Sequence, residues 1–227
     1  EAAEAAYRSG DAPINSVEGF IRQVIGWREY VWCVYWLWMP DYRHANRLGA
    51  QRSVPKAFTG EASTDMACVS NAIAHVEAHG YAHHIERLMV LGNLALTAGV
   101  DPRAMTDWMW ASFVDGAEWV MLPNVVGMAL HADGGRMATK PYASGGAYIN
   151  KMSDSCKPCR YHPKKRTGED ACPFTTLYWD FLARNEDHFA GNHRMGQQLA
   201  GMRRLSDLDD VRERAAEVLV ALDEGTL

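Results

Sequence analysis

At 227 residues, 48% hydrophobic and 22% charged, the chain has a globular protein's composition, with core material for one large domain or two small ones. A net charge of −5 excludes wholesale coating of nucleic acid and leaves room only for a local basic site. The most apolar run, YVWCVYWLWM at 30–39, falls short of the roughly 20 residues that span a bilayer, so no membrane partner is expected.

The opening EAAEAAYRSGDAP lacks an initial Met and reads as helix, as in a piece of a longer protein whose N-terminal part is missing. Residues 17–39 read as one long helix buried all round, started by a capping box of Asn15 and Glu18 and ended by Pro40. A loop covers 41–66. Helices follow over 65–79 and 81–98, with Gly80 between them and Gly99 as the C-terminal cap. Asp101-Pro102 is a clean restart, an N-cap Asp with Pro in the first turn, for a helix running to about 121. Pro123 opens a short segment to about 130. The stretch 131–147 is rich in Gly, Ala, Ser and Tyr and reads as a long loop, a common place for function. A helix runs from Pro173 to about 185. Ser206 caps a last amphipathic helix with Val211, Ala215, Val218, Leu219 and Leu222 on one face. With no repeat and no strand alternation, the expected fold class is all-α, in one domain over 1–227.

Five cysteines, an odd number clustered late in a chain with no secretory leader, favour a metal or cluster site in a reducing compartment over a disulfide framework; the expected location is the cytoplasm. Cys156-x-x-Cys159 puts two sulfurs on one tight knuckle, and Cys172 is followed at once by Pro173. The fourth ligand is to be found between Cys33 and Cys68. Cys33 lies among aromatics in the helix read as buried and is assigned to the core; Cys68 lies in the first turn of a helix after a loop, a better place for a ligand. Spacing alone leaves zinc and an iron–sulfur cluster both open. A ligand at Cys68 would tie the first half of the chain to the second.

The helix GYAHHIERLMVLGNLAL carries His83, His84, Glu86, Arg87 and Asn93 in an apolar setting, where such groups either pair or line a cavity. Asp115 and Glu118 are the natural partners for Arg87. Adjacent residues face different ways, so zinc binding by both histidines is excluded, and acid–base or hydrogen-bonding roles compete with a pair of satisfied core histidines. Lys157, Arg160, Lys164, Lys165 and Arg166 form a basic patch that is either a phosphate contact or a solvated charge run. Tyr142, Tyr148 and Lys140 in the loop could stack on or grip a flipped base or a flat cofactor. The eight tryptophans are assigned mostly to core packing.

Five stretches together carry a specific resemblance: NSVEGFIRQVIGWREYVW (15–32), GYAHHIERLMVLGNLAL (80–96), AEWVMLPNVVGM (117–128), TKPYASGGAYINKMSD (139–154) and CKPCRYHPKKRTGEDACPFTTLYWDFL (156–182). The chain resembles the C-terminal, FAD-binding helical domain of the bacterial iron–sulfur (6-4) photolyases and cryptochromes. The resemblance implies light-driven repair of (6-4) photoproducts in UV-damaged DNA by reduced FAD, or a blue-light receptor derived from such an enzyme. It implies a 4Fe–4S cluster on Cys68, Cys156, Cys159 and Cys172, and so decides between zinc and cluster. It gives His84, with His83 beside it, a proton-transfer role at the lesion, and places Tyr142 and Tyr148 on the lesion side of the flavin. Arg87 and Asp115 become the ion pair under the flavin, and Met121 and Asn124 belong to the flavin pocket. Trp108, with Trp110 as a substitute next link, belongs to an electron-transfer chain. The candidate DNA contacts, Lys164, Lys165 and Arg166, rest on the basic patch itself. Relatives carry Glu at the position of Met121, Tyr at that of Met109 and Trp at that of Phe58. The antenna pigment and its α/β domain are expected in the missing N-terminal part, and the full-length protein is expected to be a monomer. The competing expectation is a non-enzymatic iron–sulfur module that binds DNA without flavin.

Overall fold

The computed structural model describes residues 1–227 and is all-α, with fourteen α-helices, no strand and two isolated bridges, Arg52 with Val100 and His162 with Ala171. Helix α1 (Ala2–Ser9) and α2 (Ile14–Ile21) lead into a π-helical stretch, Arg22–Trp27, that runs on into α3 (Arg28–Trp38). The long helix expected here is present, but its cap and its burial differ from expectation. Pro13 takes the extended cap position and no side chain caps the helix; Glu18 pairs instead with Arg22 one turn on. Only Val31 and Val34 of α3 are buried, while Phe20, Ile25, Trp36 and Leu37 are exposed. Cys33, expected in the core, is exposed with them. The physical reason is that α3 lies on the rim and offers one narrow stripe to its neighbours, whereas an all-apolar sequence does not say which of its faces has a partner.

After a short α4 (Lys56–Thr59), α5 (Ala67–His79) ends at Gly80, whose φ of 58° is the left-handed conformation that glycine adopts freely. The next helical run is α6 (His84–Glu86), a π-helical turn over Arg87–Gly92, and α7 (Asn93–Ala98), closed by Gly99 as expected. Asp101 caps α8 (Pro102–Ser112) by accepting the Ala104 N–H at 2.8 Å. The helix expected to reach 121 breaks at Phe113 and resumes as α9 (Glu118–Leu122), which passes into a π-helical segment, Pro123–Ala129. Gly116 permits the break: a Cβ there would lie 2.8 Å from the Phe113 carbonyl oxygen.

The loop at 131–145 is tightly held. Buried Asp133 accepts the Tyr42 hydroxyl at 2.8 Å and the N–H groups of Gly135, Arg136 and Met137. Buried Asn93 exchanges hydrogen bonds with Ser144 at 2.9 and 3.1 Å, fixing the loop's far end. Helix α10 (Gly146–Met152) then takes residues expected to be loop. The chain finishes with α11 (Pro173–Arg184), α12 (Glu186–Phe189), α13 (Gly196–Arg203) and α14 (Leu208–Glu224). Helix α11 is the most buried of these and packs on α7, α13 and α14. The expected face of α14 is buried, from Val211 to Leu222, although Asp207 rather than Ser206 holds the cap position. The core is one cluster of 47 residues. No helix is long and apolar enough to cross a membrane.

Candidate functional site

The start of α6 is built by a capping box. The His83 imidazole accepts the Ile85 N–H through Nδ1 at 3.2 Å, and the Glu86 carboxylate accepts the His83 N–H at 2.9 Å. Arg87 follows on the inner side, its side chain only 16% exposed. Its Nε donates to the Ala82 carbonyl at 2.7 Å, and its two Nη groups donate to Asp115 at 2.9 and 3.0 Å, a bidentate pair. The guanidinium also lies over the rings of Phe113, at 4.3 Å, and Tyr81, at 4.7 Å. Asp115 is thus the partner expected from sequence. Glu118 is not: it pairs with Arg43 at 3.6 Å and accepts the Tyr35 hydroxyl at 3.0 Å, because the break at 113–117 turns it toward α3.

His84 opens onto two adjoining cavities that share His84, Leu88, Val120, Asn124 and Met128 as walls. The larger, about 530 Å³, is completed by Trp27, Arg28 and Val31 of the first long helix, by Trp119 and by Tyr142 of the tied loop. The smaller, about 100 Å³, reaches Arg87, Met109 and Met121. Packing against this wall, with the charges of Arg87 and His83 close by, holds the His84 pKa below its usual 6.5 and favours a neutral imidazole. Asn124 donates its amide to the Val120 carbonyl at 2.8 Å, which leaves its side-chain oxygen as an acceptor.

Of the residues singled out from sequence, the fold therefore gathers His84, Arg87, Met121, Asn124 and Tyr142. It does not bring Tyr148, which lies exposed on α10, to either cavity. Trp108 donates its indole N–H to the Phe58 carbonyl at 3.1 Å and lies 6.1 Å from Phe113, the ring beneath Arg87. Trp110 points elsewhere, exposed under the Arg43 guanidinium. Sequence reading missed Trp27, Arg28, Leu88, Trp119 and Met128. The one available signal was the aromatic density of 27–38, which was assigned to the core. Trp119 packs edge-on against Trp32 at 5.1 Å, and Trp32 against the exposed Trp36 at 5.6 Å.

The four late-assigned cysteines also come together. Cys68 is half-buried at the start of α5, and its thiol is pushed up first by desolvation and then by Cys172, Cys156 and Cys159. Cys172 is pushed up to about 11, mainly by burial. Cys156 shifts the same way. Glycine at 146 makes room for this group, since a Cβ there would lie 2.6 Å from the Cys172 sulfur. No three His, Cys, Asp or Glu side chains of the chain are placed to share a single metal ion.

The basic patch is largely neutralised. Lys165 pairs with Asp170 at 2.6 Å, Arg166 with Asp207 at 2.7 Å and Arg160 with Asp65 at 2.6 Å. Lys164 is exposed and has no carboxylate partner.

No protein-family model matches the chain. Among curated proteins, it is 52% identical over 225 residues to the (6-4) photolyase of Agrobacterium fabrum (strain C58), an alignment that covers 98% of this chain and 44% of that protein. It is 33% identical over 107 residues to the uncharacterized protein R855 of Acanthamoeba polyphaga mimivirus, covering 47% of this chain and 80% of that protein. The chain thus spans less than half the length of the first of these relatives. With identity above one half sustained along nearly all of its length, the chain is similar to a large part of a (6-4) photolyase.

Proposed function

We propose that this chain is the FAD-holding, lesion-facing part of an enzyme that reverses (6-4) pyrimidine photoproducts in DNA under blue light. The observation that carries this reading is the 52% identity to a (6-4) photolyase over 98% of this chain, whose two adjoining cavities collect His84, Arg87, Asn124 and Tyr142. The cavity fits a flat, partly apolar ligand: it is walled mostly by aliphatic and aromatic side chains with a few convergent polar groups. FAD bound there would supply the excitable electron donor. Arg87, held by Asp115 and two rings, puts a fixed positive charge at the cavity edge and favours an anionic ligand form. Asn124 offers an acceptor, and Met121 forms a soft wall that cannot ionise. Neutral His84 can hold and pass a proton where the cavity opens, and Tyr142 offers a ring on which an extruded base can stack. Trp108, next to Phe113, is the better placed of the two proposed electron-transfer residues.

Cys68, Cys156, Cys159 and Cys172 would hold a 4Fe–4S cluster as a staple between the halves of the chain. The thiols of Cys68, Cys156 and Cys172, all raised chiefly by burial, need a cationic centre to become thiolates, and four cysteine sulfurs are the ligand set of such a cluster. Of Lys164, Lys165 and Arg166, Lys164 should contribute most to DNA backbone contact, because the other two are already paired.

The smaller cavity favours a second reading: Met109 and Met121 line it without any carboxylate, which suits a blue-light receptor that keeps the cofactors and does not repair. The test is the absorption spectrum of oxygen-free protein, followed by repair of a (6-4) oligonucleotide under blue light after reduction. Repair with both iron–sulfur and flavin bands is the expected result. Both bands without repair would favour the receptor. A colourless, folded chain would sink both and return zinc at the cysteines of a DNA-binding module.

A further inference from the structure

We infer that His83 is a positioning residue, whose imidazole caps the helix that presents His84 to the cavity and acts on the reaction only through His84. The inference rests on the function proposed above for His84 and on the capping box at the start of α6.

His83 has extended backbone, with φ −58° and ψ 146°, and His84 is the first residue of the helix. The backbone from which the His84 ring projects is therefore set at the cap. Three hydrogen bonds lock that point: Ile85 N–H to His83 Nδ1, His83 N–H to Glu86, and Arg87 N–H to the His83 carbonyl at 3.0 Å. Because Nδ1 accepts, the ring hydrogen resides on Nε2, and the ring is neutral in this arrangement. The other carboxylate oxygen of Glu86 lies 3.0 Å from His75 Nδ1 on α5, so the box is also tied to a second helix.

Asn, Asp or Ser is the usual cap, and an imidazole differs from each in that its accepting nitrogen becomes an N–H donor on protonation. Protonation of Nδ1 replaces the acceptor with a donor facing the Ile85 N–H, and the cap is lost. The charged and titratable groups around it are His84, Glu86 and Arg87 on its own helix, His75 on α5 acting through Glu86, and Asp115 acting through Arg87.

The test compares wild type, His83→Asn, which keeps a non-titrating cap acceptor, and His83→Ala, which removes it. Amide exchange at Ile85 and the His84 ring resonance are followed from pH 8 to 5 in protein without flavin or DNA, and repair is measured separately in the loaded protein. His83→Ala should speed Ile85 exchange about fivefold and move the His84 resonance. His83→Asn should restore both and at least half of the repair lost in His83→Ala, and should remove the acid-induced displacement of His84 seen in wild type. An unchanged His84 resonance and Ile85 exchange in His83→Ala would overturn the inference. So would His83→Asn as inactive as His83→Ala with His84 still in place, since His83 would then act on the lesion directly. If the wild type repairs nothing, the proposed function fails, and exchange and resonance still decide the cap.

Discussion

Arg87 is satisfied by a carboxylate, a backbone carbonyl and two aromatic faces at once, so no single partner carries its position. Asp115 is half exposed, which places the pair between a buried ion pair and a surface one. Asp115→Asn should therefore lower stability by about 1 kcal/mol in urea unfolding, well below the cost of opening a fully buried pair. Buried His131 and His84 at the cavity mouth set a pH dependence. His84 and His131 are both held below 6.5, each chiefly by burial, with Asp133 opposing the shift at His131. The unfolded chain takes up these protons at higher pH than the folded chain, so stability is greatest above about 6.5 and falls as the pH drops toward the lowered values. The urea midpoint should fall between pH 7 and 5. His131→Asn, which tolerates the φ of 49° there and does not titrate, should flatten part of that fall. The Arg87–Asp115 pair was legible in sequence because an arginine on an apolar helix needs a partner and few acids lie nearby. The partner of Glu118 was not, because it depends on how the chain turns at Gly116.

Helix ends were the readable part of the elements. Gly80, Gly99 and the Asp101-Pro102 restart act through their own backbone or the next three residues, and each falls where expected. Asp101→Ala should cost about 1 kcal/mol in thermal or urea unfolding, the usual worth of an N-cap. Close approaches were unreadable. At the head of α10 an added methyl would meet the Cys172 sulfur at 2.6 Å and the Pro163 carbonyl at 2.9 Å. Gly146→Ala should thus displace Cys172 and reduce bound iron per chain, with the helix content in circular dichroism nearly unchanged. The face that α3 buries was equally hidden: its aromatics pass every test for a core helix, and only the positions of its neighbours leave Trp36, Leu37 and Cys33 outside.

Across the whole molecule, Cys68 and the 156–172 region join segments separated by 88 positions. A bond closing a loop of that length removes unfolded-state entropy worth on the order of 4 kcal/mol. Cys68→Ser should abolish the iron–sulfur absorption and lower the unfolding midpoint sharply, whereas Cys33→Ser, at an exposed site, should change neither. The sequence by itself determined the all-α class and the helix ends at Gly80, Gly99 and Asp101-Pro102, because each of these depends on residue type and local spacing. Only the tertiary structure decided that Trp27, Trp119 and Tyr142 share a cavity with His84, that Tyr148 stands apart from it, and that Lys165 and Arg166 are already paired. These are relations between surfaces distant in the chain, and which surfaces meet is set by packing, which the local pattern does not encode.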